Sequence, residues 1–232
     1  MRIQINDKEE IFPSSMCEIT LGQQIDFHEL HGRELDLMLA DIKKMEDGVL
    51  KDAATNDYHH QKMIRTFSFF TGCTLEAIEG DGFLDQIFDI YHSCHAVVSH
   101  EQDELELNPP FFFKGEFWTI RAANDRMKMD DFLRSNSLVK NIHKFSNGHW
   151  QNLLLICCHL LEKNNDPRDV RFYDQFTMQG TNFDEVLNQI DDEGLQRLEL
   201  MKELTMDIAM QVVIFLNNSM DLAIDITKDN KN

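Results

Sequence analysis

Apolar residues return every three or four positions along most of this chain, and that spacing restricts it to a largely helical fold. Leu35, Leu39, Ile42, Met45 and Val49 mark one face of a helix over 35–50. A second apolar face, with Met63, Ile64, Phe67 and Phe70, predicts a helix from about Tyr58 to Thr71, ended by Gly72. A short helix at Thr74–Ile78 and a longer one at Phe83–Val98 follow. In the second half, helices are predicted near Met129–Arg134, over Asn147–Lys163, after a capped start at Thr181, and over Asp192–Asn217. Thr20-Leu21-Gly22-Gln23 has the form of a capping box, in which the Thr hydroxyl and the Gln side chain satisfy each other's free amides. The helix it opens carries Leu21, Ile25 and Leu30.

Two segments break the helical period. Ile3 and Ile5 alternate with polar residues, Asn6-Asp7-Lys8 can turn, and Ile11-Phe12 follows, which reads as a hairpin over 2–12. Phe111-Phe112-Phe113 and Glu116-Phe117-Trp118-Thr119-Ile120 flank Lys114-Gly115 and read as a second hairpin. The expected class is therefore mainly α with two small β-hairpins, an α+β fold. The polar stretch 100–110, ending in Pro109-Pro110, suggests units over 1–106 and 107–232, packed separately or as one domain. Each half runs from a tight turn through a short strand and a loop to a helix start. That order fits two degenerate copies of a hairpin-plus-helices unit, or a chance likeness between short segments.

Charge narrows the function classes. The chain holds 41 acids against 22 bases, a formal net charge of −19. Phosphate neutralisation needs clustered Lys and Arg, and Lys43-Lys44 is the only basic doublet. Neither nucleic acid nor an anionic membrane surface is an expected partner. No apolar stretch approaches the ~20 residues of a membrane span, and the first residues hold no apolar signal core. The five cysteines are odd in number and irregularly spaced, as expected for reduced thiols.

Several clusters offer ligand or nucleophile types without the spacing that chemistry requires. His92-Ser93-Cys94-His95 with His100, and Cys157-Cys158-His159, match no paired zinc-ligand pattern. His28, His31 and Glu34 lie at i, i+3 and i+6, a facial set that equally suits the polar side of a helix. Gly80-Asp81-Gly82 carries acids that would repel a phosphate, and no Gly-x-Ser-x-Gly elbow occurs. No catalytic, cofactor or metal residue is assigned. Partner binding has positive support from the aromatic hairpin, because alternation turns only about half of Phe111, Phe112, Phe113, Phe117 and Trp118 inward. The outward residues meet another element or a partner, and Phe67, Phe69 and Phe70 pose the same question on a helix.

The opening Ile3-Gln4-Ile5-Asn6-Asp7-Lys8-Glu9, then Pro13 and Glu18-Ile19-Thr20-Leu21-Gly22-Gln23, resembles the start of small proteins of tailed bacteriophages described as tail assembly chaperones or virion proteins. Phe69-Phe70-Thr71-Gly72-Cys73-Thr74-Leu75-Glu76 and the hairpin around Gly115 share that resemblance. It maps no functional residue onto this chain. It implies a non-enzymatic role in virion morphogenesis, with other phage proteins of the tail or virion as partners. The implied location is the host cytoplasm during assembly, or the virion itself. The competing expectations are a structural virion component, an acidic host-directed inhibitor, and a metal- or thiol-dependent enzyme; the oligomeric state stays open.

Overall fold

The computed structural model describes residues 1–5, 8–80, 84–105, 110–120, 150–163 and 190–216, together with 183, 187 and 188. The chain is mainly helical with two small antiparallel sheets, an α+β fold. It divides into two units, Met1–Ile19 with Gln24–Asp103, and Thr20–Gln23 with Glu104–Asn232.

The first unit opens with β1 (Arg2–Ile5) and β2 (Lys8–Ile11), paired antiparallel with Ile3 opposite Glu10. The expected turn residues Asn6 and Asp7 lie outside the described residues. Helix α1 (Leu21–Phe27) has its first three residues in the second unit and the rest in the first; α2 (Arg33–Lys44), α3 (Val49–Thr71), α4 (Leu75–Gly80) and α5 (Leu84–Glu104) follow. A π-helical turn, His28–Gly32, links α1 to α2. Its wider winding shifts the apolar stripe, so Leu30, expected on the buried face, is exposed.

The predicted helix over 35–50 is two helices. Gly48 takes φ +146, which a side chain rarely adopts, and starts α3 nine residues ahead of Tyr58. Val49, expected in the core, is 84% exposed, and Leu50 82%. The core of this unit gathers Ile3, Phe12, Met63, Ile64, Phe67, Ile78, Ile87 and Cys94. Phe12 stacks on Phe67 at 5.3 Å between ring centroids, and Phe70 meets Phe12 edge-on at 6.0 Å. Phe69 meets Phe27 in the same way at 5.5 Å. The helix aromatics therefore find internal partners.

The second unit contains β3 (Phe111–Phe113), β4 (Glu116–Ile120), α6 (Trp150–Leu160), β5 (Leu161–Lys163), α7 (Asp192–Lys202) and α8 (206–216). The strand order is β3-β4-β5, all antiparallel. The helix predicted over Asn147–Lys163 thus ends early, and its last three residues become a strand. Arg197, 6% exposed, explains the change. Its Nε donates to the Cys158 carbonyl at 2.8 Å, and its Nη2 donates to the Leu161 carbonyl. These carbonyls lie where a helix end leaves acceptors without intrahelical donors. The released residues pair with β4, Trp118 opposite Lys163 and Ile120 opposite Leu161.

The helix predicted over Asp192–Asn217 is also divided. Asp191 caps α7 by accepting from the Gly194 amide at 2.8 Å. The helix stops at Lys202 because Leu204 turns its carbonyl to the Leu21 amide, 2.8 Å away, and Thr205 bridges Thr20. The expected capping box forms there: Gln23 N–H donates to Thr20 Oγ1 at 3.1 Å, and Thr20 N–H donates to Gln23 Oε1 at 2.9 Å. The predicted helix near Met129–Arg134 and the Thr181 start lie outside the described residues, as does the helix-start segment Met127–Leu133 that links Lys114–Ile120 to the following helix in the second copy of the suspected repeat.

Replacing Thr20 with Ala removes one cap acceptor and should lower unfolding free energy by about 1 kcal/mol. Urea denaturation followed by circular dichroism measures this, and Thr20→Ser should recover most of the loss.

Candidate protein-binding surface

The sheet of the second unit sorts its aromatics by the two-residue period of a strand. Lys114 and Gly115 take φ +51 and +79, the paired positive values of a type I′ turn, whose twist suits a two-residue hairpin. That turn sets Phe111 opposite Trp118, Phe112 opposite Phe117 and Phe113 opposite Glu116. Phe111, Phe113, Trp118 and Ile120 enter the core, with Trp118 and Ile120 fully buried. The Trp118 indole N–H donates to the Phe113 carbonyl at 3.1 Å. Lys163 Nζ and the Arg197 guanidinium lie 5.3 and 5.7 Å from the Trp118 ring centroid, within cation–π range.

The opposite face is different. Phe112 is 62% exposed and Phe117 52%, and their rings meet edge-to-face at 5.3 Å. Of the five expected partner-binding residues, the structure therefore leaves two on the surface and commits three to the core. About 200 Å² of ring surface stays in water. Its burial is worth up to about 5 kcal/mol. The turn beside the pair is flanked by ion pairs, Lys114 with Glu203 and Glu116 with Lys163, the latter at 2.6 Å.

Cys157 and Cys158 are buried in α6, and desolvation pushes both thiols up, Cys158 to about 12. His92 packs on Phe88 at 4.1 Å between ring centroids, while Cys94 points into the core. His95 contacts Tyr91 and Ser99, and burial followed by the charges of Lys62, His92 and His59 lowers its pKa. The His28 ring lies over Gly32. His31 Nδ1 is 3.5 Å from Arg65 Nη1, and Arg65 pairs with Glu34. Burial, then Arg65, lowers the His31 pKa. Among the described residues no three of His, Cys, Asp or Glu converge to hold a metal ion. No described helix is long and apolar enough to cross a membrane.

Sequence reasoning missed the exposed Val49-Leu50 step, for which Asp47-Gly48 was the available signal. It also missed Arg197, a lone base on a helix face with no pattern to distinguish it.

Comparison with known proteins finds no matching family model, no matching curated protein and no matching solved structure.

Two measurements check the site. Phe112→Ser with Phe117→Ser should change unfolding free energy by no more than about 1 kcal/mol, whereas Trp118→Ala should cost about 3–5 kcal/mol. With a thiol reagent at pH 8, exposed Cys17 should label quickly, and Cys157 and Cys158 only at the rate of global unfolding. Because the folded thiols ionise at higher pH than unfolded ones, the unfolded chain holds fewer protons above about pH 9. Stability should fall as pH rises through that region.

Proposed function

We propose that the chain is a non-enzymatic protein-binding factor in tailed-phage virion morphogenesis, chaperone-like in tail assembly, and that Phe112 and Phe117 form its contact. The observation carrying the binding part is the exposed ring pair on a sheet whose other face sends Phe111, Phe113, Trp118 and Ile120 into the core. A folded chain gains nothing by holding two aromatic side chains in water, whereas a partner that covers them gains their burial. The net charge of −19 favours a partner with basic or mixed surfaces. The assignment to phage assembly rests on the resemblance carried by Ile3–Glu9, Glu18–Gln23 and Phe69–Glu76. Assembly places the chain in the host cytoplasm.

The test is affinity purification of the tagged chain from infected cells, with mass spectrometry of what accompanies it. Tail or other virion proteins should co-purify with the wild type and be depleted at least tenfold with the Phe112→Ser, Phe117→Ser variant. Recovery of host metabolic enzymes with no virion protein would refute the assignment. Absence of the chain from mature particles agrees with a chaperone; its stoichiometric presence overturns that role in favour of a structural part.

A further inference from the structure

We propose that the outer edge of β3 at Phe112 takes up a short extended segment of a partner as an added strand, with alternate aliphatic residues against Phe112 and Phe117 and basic residues at its ends. The inference rests on the reading that this ring pair binds protein, and it specifies the form of the ligand.

Geometry supplies the first argument. In a two-residue hairpin, the residues flanking the turn exchange both backbone hydrogen bonds, and the next pair outward exchanges none. Here Phe113 and Glu116 flank the turn, so Phe112 and Phe117 form the non-bonded pair. The Phe112 N–H and C=O consequently point away from β4. Among the described residues β3 stands at the edge of the order β3-β4-β5, and no described backbone group outside the ladder bonds to Phe112. The strand Phe111-Phe112-Phe113 carries no charge, and its short length, with Pro110 before it and Lys114 at the turn, confines an added strand to the one outward residue, Phe112.

Area supplies the second. A stable interface between globular proteins buries about 800 Å² on each side. The ring pair offers about 200 Å², which suits a strand of a few residues and not a second copy of the chain. Side-chain contact alone would give little selectivity, but an outward donor and acceptor beside an aromatic pair is the combination that strand addition uses.

Charge supplies the third. The ion pair Lys114–Glu203 neutralises the turn end of the hairpin and neither ring carries charge, so the centre of the segment should be uncharged. The chain as a whole is −19, so basic ends are drawn to it and acidic ends repelled.

The probe is the fluorescein-labelled peptide KKTVTVTVTKK, titrated into the full chain and read by anisotropy. Saturable binding is expected, with protection of the Phe112 amide from hydrogen exchange. Affinity should fall at least tenfold when the central valine is N-methylated, when EE replaces both KK ends, and in the Phe112→Ser, Phe117→Ser variant shown by circular dichroism to be folded. No saturable binding up to about 1 mM, or binding indifferent to N-methylation, overturns strand addition. If virion proteins still co-purify through the ring pair in that event, the protein-binding role stands and only the mode of contact is refuted.

Discussion

A guanidinium removed from water needs acceptors, and the last carbonyls of a helix need donors. Arg197 meets both requirements at once in the second unit. Its planar fork reaches the carbonyls of Cys158 and Leu161, two points on either side of the change from α6 to β5. A cation at this position also suits the negative end of the helix dipole. Because the helix stops there, Leu161–Lys163 is available to pair with β4 and make a three-stranded sheet. The same guanidinium borders the Trp118 ring, the largest fully buried side chain in that sheet. One buried side chain from α7 thus couples a helix end, a strand and the aromatic core.

The exposed surface follows from that arrangement. Once Trp118 and Ile120 are drawn into the core, the two-residue period forces Phe117 to the other face, and the hairpin register brings Phe112 beside it. The type I′ turn leaves no freedom to slip, since a shift of one residue would bury Phe117 and expose Trp118. The ring pair in water is the consequence of a register that the buried face dictates.

In the first unit Phe12, Phe27, Phe67, Phe69 and Phe70 have the opposite fate, while Phe88 stays 51% exposed on α5. Phe12, brought in after β2, stacks on Phe67, while Phe69 and Phe70 lie edge-on to Phe27 and Phe12. His92 packs on the Phe88 ring, His95 contacts Ser99, and His31 lies against Arg65. Burial lowers the pKa of His31 and His95 by disfavouring their charged forms.

Local pattern alone determined a good deal of this protein. Both hairpins, the Thr20–Gln23 capping box, the C-terminal stop of α3 at Gly72 and the inward-outward alternation around Lys114-Gly115 were legible, because each depends on residues within a few positions of one another. The tertiary structure decided the rest. It chose which of the five hairpin aromatics stay in water, and it turned Leu161–Lys163 from helix to strand through a base 36 residues away. It also broke the last long helix where the Leu204 carbonyl meets the Leu21 amide. Helical periodicity continued unbroken through both of those points. Backbone hydrogen bonds are satisfied wherever a partner stands, and a partner distant in the chain leaves no mark on the local spacing of apolar residues.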